Sequence, residues 1–423
     1  MSMAGRECKI REKIIPCRHA DFLAGVICNC RTQVMPIIPE IAARQRALTE
    51  IRRDIHANPE LAYEEVRTAA LVASLLERWG IEVHRGIGQT GVVGVISSGS
   101  SDRIIGLRAD MDALPITERN QFAHCSQHPG RMHACGHDGH TTMLLGAAEY
   151  LAQHRNFDGT VVFVFQPAEE GRGGAAAMIA DGFFERFPVQ AIFGMHNWPG
   201  MPLGRFGITP GPVMASADRF DIVITGHGGH AAMPHLTVDP IVAGAALVNA
   251  LQTIPARTTD PLDGVVVSVT QFHAGEAYNA IPGHAKLQGT TRALLHHVRE
   301  ATWARMQQIC DGIAATHGLK VELTRYEGYP PTINTPDEAG MCRAVANALV
   351  GAEQVDWAIR PSMGAEDFSH FLAHRPGCYV WIGNGPGEGG CTLHNAHYDF
   401  NDDNLVLGAS YWVNLVETAL AAV

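Results

Sequence analysis

The sequence lacks any apolar run approaching the ~20 residues that a membrane-spanning helix requires, so no such span is expected. It also lacks a polybasic run beyond its first few dozen residues, and its net charge is −11. Nucleic-acid binding needs a concentrated basic surface, and that class is excluded. The same charge cannot steer anionic substrates from a distance, so any anion site must be built locally. There is no internal repeat and no low-complexity tract, which excludes solenoids and repeat arrays. The ten cysteines show no framework spacing. A disulfide-stapled fold is therefore excluded, and mostly free thiols in a reducing, cytoplasmic compartment are expected.

What is present is 423 residues, 46% hydrophobic and 18% charged, enough for two domains with cores of their own. Residues 1–34 are unlike the rest: basic, and holding Cys8, Cys17, Cys28 and Cys30. They read as a poorly ordered extension, with Met35 as the natural start. After them, helices are expected from Pro39 through Ile55 and from about Glu64 to Trp79. Ile104 to Leu107, Thr160 to Phe165 and Ala191 to Met195 are continuous apolar runs, as in strands covered on both faces. Strands alternating with helices predict an α/β fold around a central mixed sheet.

From about residue 214 the texture changes, with Phe220, Ile222 and Ile224 alternating with polar residues. Strands and helices then follow in the order β-α-β-β-α-β, the ferredoxin-like unit. Residues 214–326 thus read as an inserted α+β domain, and residues 35–213 and 327–423 as the larger one. The last helix is expected to start at an Asn401 or Asp402 cap, with Leu405, Ala409, Trp412, Val416 and Leu420 on one face.

The chemistry concentrates in His133-Ala134-Cys135-Gly136-His137-Asp138-Gly139-His140. Thiolate, imidazole and carboxylate are the donors that hold zinc-like ions, and glycine permits the tight backbone that aims them at one point. Glu169-Glu170, His196 and His394 lie further along, each in a polar break beside an apolar run. Open α/β sheets assemble their sites at such strand ends. Cys135, His137, Glu170, His196 and His394 suggest themselves as ligands, more than one zinc takes, so two ions are expected. Adjacent carboxylates diverge, so one of Glu169 and Glu170 ligates and the other is free as a base; spacing alone does not order them. Asp110 and Asp112 end a strand, and Asp112 is the better candidate for orienting a ligand histidine.

These segments together resemble the M20 metallopeptidase clan, in its aminoacylase-like subfamily of hippurate, N-acyl-amino-acid and auxin-conjugate hydrolases. The resemblance is carried by Arg53 to Leu61, Leu107 to Pro115, His133 to His140, Gln166 to Gly171, Gly194 to His196, Gly226 to His235, Met363 to Phe368 and Leu393 to Asn395. It covers nearly everything from residue 40 onward. It implies the same five ligands and makes Glu169 the base. Other branches have His-x-Asp where this chain has Asp110-Met111-Asp112, which leaves Asp112 in the supporting role. It further implies that the insertion dimerises and closes over the site, with His230 reaching the reacting carbonyl and Asn279 and Arg292 holding the substrate carboxylate.

The implied reaction is hydrolysis of an N-acyl amino acid to a carboxylic acid and a free amino acid, with manganese or zinc, or else cobalt or nickel. A small-molecule substrate and a homodimer or higher homo-oligomer are the expected partners. A dipeptidase or carboxypeptidase of the same clan, and a metal-binding relative without catalysis, are the alternatives. The unligated Glu169 speaks against the last.

Overall fold

The computed structural model describes residues 37–387 and 389–422; the extension expected over residues 1–34 lies outside the described residues. The chain first lays down β1 (Glu82–Ile87), β2 (Gly91–Ser98), β3 (Ile104–Asp110), β4 (Gly159–Gln166), β5 (Ala191–Trp198) and β6 (Phe206–Gly207). It then leaves through β7 (Gly211–Met214) for β8 (Ala217–Thr225), β9 (Gly229–His230) and β10 (Val265–Ala274). β11 (Ala280–Ile281), β12 (His284–Ala293) and β13 (Lys320–Tyr329) follow. The return runs through β14 (Thr332–Asn334), β15 (Val355–Asp356) and β16 (Gly377–Gly383).

The larger sheet has eight strands in the order β1-β2-β4-β3-β5-β16-β6-β15. Its centre, β4-β3-β5-β16, is parallel, and β1, β2 and β6 join antiparallel. Helices cover both faces, so the central strands are apolar throughout: every residue from Val161 to Phe165 and from Cys378 to Ile382 is buried. On one face the helices His137–His154 and Asn404–Ala419 pack their apolar sides onto this sheet. The sheet is the mixed, helix-flanked α/β architecture expected from the sequence.

The second sheet, β10-β12-β8-β13, is antiparallel throughout. Phe220, Ile222 and Ile224 of β8 point at the helices Pro240–Leu251 and His296–His317, closing a separate small core with Leu247, Leu287, Trp303 and Met306. The opposite face is polar. β13 runs on to Tyr329, three residues past the expected limit of the insertion, because its end stays paired with Ala217. The entering and leaving strands, β7 and β14, pair with each other.

Three local expectations need correction. The first helix is two, Pro39–Ala42 and Gln45–Ala57. The antiparallel pair β1–β2 was not expected, because Glu82-Val83-His84-Arg85 carries no clean alternation. The last helix starts after Asp403, whose side chain makes no capping bond. Asn401 instead accepts from the Asp403 amide, and Asp402 is taken by Arg52 and Arg53.

Candidate metal centre

Five chain segments bring their side chains to the C-terminal edge of the parallel strands. β3 delivers Asp110 and, just beyond, Asp112. The loop into the helix His137–His154 delivers Cys135 and His137. β4 leads into Glu169 and Glu170, and β5 carries His196 within the strand, two residues short of its end. His394 lies in the loop after β16.

The backbone is bent to suit. Gly136 sits at φ 96°, and a Cβ there would come within 2.2 Å of Asn197 Oδ1 and 2.6 Å of the Tyr398 hydroxyl. Only glycine lets the helix begin this close to β5, which sets His137 facing His196. Among the described residues five non-glycines have positive φ, and Ala168 (55°) and His394 (61°) are two of them. Such strain costs on the order of 1–3 kcal/mol each and collects where side-chain aim matters more than stability.

The five expected ligands come together. Cys135 Sγ is 3.3 Å from His196 Nε2. Glu170 Oε1 lies 3.2 Å from His394 Nε2 and 4.0 Å from His137 Nε2. Cys135, His137 and His196 form one cluster of potential ligand atoms, and Cys135, Glu170 and His394 another, so the two share the thiol. All but Glu170 and His394 are buried.

Asp112 ties this set together without entering it. Its Oδ1 accepts from the Glu169 amide (3.0 Å) and its Oδ2 from the Glu170 amide (2.9 Å). The same Oδ1 lies 3.3 Å from His137 Nδ1. One carboxylate thus fixes the Glu169-Glu170 turn and lies against a histidine ring. Asp110 accepts from His140 Nδ1 at 2.6 Å and from Arg108 at 2.8 Å. Its Oδ2 lies 3.7 Å from His137 Nε2, so Asp110, His137 and His140 form a further cluster of potential ligand atoms.

Do these residues fit metal ions? The approaches of His137 to Asp112 (3.3 Å) and of Glu170 Oε1 to His394 (3.2 Å) lack hydrogen-bond geometry. Both ring nitrogens of His137 and Glu170 Oε1 are thus buried beside charged groups but without a hydrogen bond, a cost that native structures rarely leave standing. Burial, and then the Glu170 and Glu169 carboxylates, push the Cys135 thiol well above its ordinary range. Burial, followed by His140, pushes His196 well below its own. Burial alone would lower His137, yet Asp110 and Asp112 hold it at about 10. A thiol, three imidazoles and a carboxylate, crowded with partnerless atoms, are the donor set for divalent ions of the zinc type. The site fits them.

Glu169 adjoins this set. One of its carboxylate oxygens clusters with His137 and Glu170, within 4.8 Å, and it also clusters with Glu366 and Asp367. It is buried, and burial followed by Glu366, Glu170 and Asp367 raises its carboxyl well above the ordinary range. Its carbonyl accepts from the Tyr329 hydroxyl at 2.7 Å. The sequence reading assigned no role to Glu366 and Asp367, although both lie in the Met363–Phe368 segment. Arg108, buried at the sheet centre, donates to Glu366 (3.0 Å), Asp367 (3.1 Å) and Gln166 (2.8 Å). A charged residue inside an otherwise apolar strand was the signal available.

The residues expected on the insertion are not in contact with this cluster. His230 and Asn279 adjoin each other where β9 pairs with β11, and the Ala231 amide donates to the Asn279 carbonyl at 3.0 Å. Both side chains are exposed. Arg292 is half-buried and donates to the Thr291 carbonyl at 3.0 Å. Among the described residues, no polar contact joins these three to the five clustered side chains.

Comparison with known proteins gives this geometry a family. The model for peptidase family M20/M25/M40 matches residues 106–418. The hippurate hydrolase of Campylobacter jejuni is 44% identical over 381 residues, 90% of this chain and 98% of that protein. IAA-amino acid hydrolase ILR1-like 2 of Arabidopsis thaliana is 43% identical over 369 residues, 86% of this chain and 83% of that protein. The crystal structure of Bacillus subtilis YXEP, a dinuclear metal-binding peptidase from the M20 family, superposes with a TM-score of 0.80 at 35% identity, over 90% of this chain and 100% of that one. The chain is an amidohydrolase belonging to peptidase family M20/M25/M40.

Proposed function

We propose that the protein hydrolyses the amide bond of N-acyl amino acids, releasing a carboxylic acid and the free amino acid. The observation that carries this reading is the clustering of five side chains able to hold ions with a sixth, buried carboxylate, Glu169, beside His137 and Glu170; we assign Glu169 the base role and not a ligand role. Cys135, His137, Glu170, His196 and His394 would hold two ions, manganese or zinc. Such ions supply the positive charge that polarises an amide carbonyl and acidifies water.

The chain's own residues do the rest. Asp112 holds His137 and the Glu169-Glu170 turn in register. Glu169 takes a proton from the attacking water and returns it to the nitrogen of the leaving amine. His230 donates to the oxygen of the reacting carbonyl as it becomes an oxyanion, once the insertion has approached. Asn279 and Arg292 grip the free carboxylate, for which the guanidinium fork is shaped. The insertion acts as a lid, and the edge strands β10 and β13 offer a route to a homodimer. Cytoplasmic residence is consistent with the free thiols; among the described residues no helix is long and apolar enough to cross a membrane.

A panel of N-benzoyl and N-acetyl amino acids and dipeptides, assayed after chelation and re-addition of manganese or zinc, tests this. Metal-dependent turnover of the N-acyl amino acids, at least ten-fold above the dipeptides, is expected. Faster turnover of dipeptides would make the enzyme a peptidase.

A further inference from the structure

The outward face of the inserted sheet carries a second arginine, Arg219, beside Arg292, and the proposed reaction does not use Arg219. Arg219 on β8 lies opposite Thr290 on β12, and Arg292 stands two residues beyond Thr290, so all three side chains share one face. Diagonal neighbours of this kind are within mutual reach of long side chains. Two guanidiniums so placed repel unless an anion stands between them. On the same face Lys286 has its acid, Asp221, at 2.8 Å. Among the described residues, neither Arg219 nor Arg292 has a carboxylate within 4.0 Å.

These arginines line a cavity of about 510 Å³ that runs to the turn beyond the catalytic carboxylates. One wall is Gly171, Arg172 and Gly173; the other is Arg219, Thr290 and Arg292. That volume suits a small organic molecule. Two acids border the cavity, and both are engaged elsewhere. Asp218 accepts from Arg299 (2.6 Å) and Trp303 (3.0 Å), and Glu327 pairs with Arg299 (3.3 Å). Arg172 also has no carboxylate partner among the described residues. In a chain of net charge −11, this cleft presents three guanidiniums that have no carboxylate partner among the described residues.

A single α-carboxylate occupies one fork. We infer that Arg219 reads a second carboxylate, so that the enzyme selects N-acyl derivatives of acidic amino acids, aspartate or glutamate, over neutral ones. The inference rests on the proposed hydrolysis of N-acyl amino acids, and Arg219 acts in it as a specificity-determining residue. The Arg219 guanidinium lies over the aromatic ring of Tyr326, 5.9 Å from its centroid, and both line the cleft.

Glutamate and glutamine derivatives differ in charge at almost equal size, so they isolate this effect. For the metal-loaded enzyme, kcat/KM for N-benzoyl-glutamate should exceed that for N-benzoyl-glutamine by at least ten-fold. Arg219→Gln should bring the two within two-fold while leaving N-benzoyl-alanine turnover unchanged, and Arg219→Lys should restore part of the preference. Equal rates on the two substrates in the unaltered enzyme, or equal losses on both in Arg219→Gln, would overturn the assignment. Absence of turnover with every N-acyl amino acid would instead overturn the reading of the reaction. Calorimetric titration with N-benzoyl-glutamate and N-benzoyl-glutamine would then decide Arg219 separately, and equal affinities would reject it.

Discussion

At the scale of single residues, the site depends on Asp112 more than its position outside the ligand set suggests. Two backbone amides and one imidazole converge on its two oxygens. An amide side chain there offers one acceptor oxygen for three demands, and its NH2 would face an amide donor. Asp112→Asn should therefore leave the fold intact but weaken metal binding by roughly 10–100-fold, the usual cost of losing a group that orients a ligand. Competition with a chromophoric chelator measures this, and an unchanged affinity would remove Asp112 from the account. The ligand types were legible in the sequence because thiol and imidazole beside glycine are rare together. The acid network around Glu169 was not, since Arg108, Glu366 and Asp367 lie 258 and 259 positions apart and meet only through the fold.

At the scale of elements, the helix His137–His154 must start at a fixed depth, and a buried ion network holds its first turn. His56 on the helix Gln45–Ala57 contacts Asp138 through Nδ1 at 2.8 Å and Glu118 through Nε2 at 3.3 Å. Burial alone would lower this imidazole, but Asp138 and Glu118 outweigh it and hold it at about 9. Its value is thus raised above the unfolded value of about 6.5. The stabilisation is fully present below about pH 6.5 and is lost as pH rises through about 9. Denaturant titrations between pH 6.5 and 9 should show stability falling by an amount on the order of 2–3 kcal/mol, and His56→Gln should flatten that slope. A slope unchanged in the variant would assign it elsewhere. The parallel strands were readable because burial on both faces writes uninterrupted apolar runs. The β1–β2 pair was not, because an edge hairpin with one wet face and mixed residues resembles loop.

At the scale of the whole molecule, two sheets with separate cores carry different candidate residues. The large sheet fixes the clustered ligands, and the insertion carries His230, Asn279 and Arg292, which touch none of them. The paired strands β7 and β14 are the connection about which the insertion would have to move. The change of texture near residue 214 announced the second sheet from the sequence; that its candidate residues make no polar contact with the clustered side chains is a property of packing that no local pattern encodes.

The central claim is that five side chains hold two ions while Glu169 remains free. Elemental analysis of the reconstituted, gel-filtered protein beside its Glu169→Gln variant tests it most directly. Two ions per chain in both, with turnover reduced by ~10²–10⁴-fold in the variant, is the predicted result. Loss of an ion in Glu169→Gln, or a single ion in the unaltered protein, would contradict it.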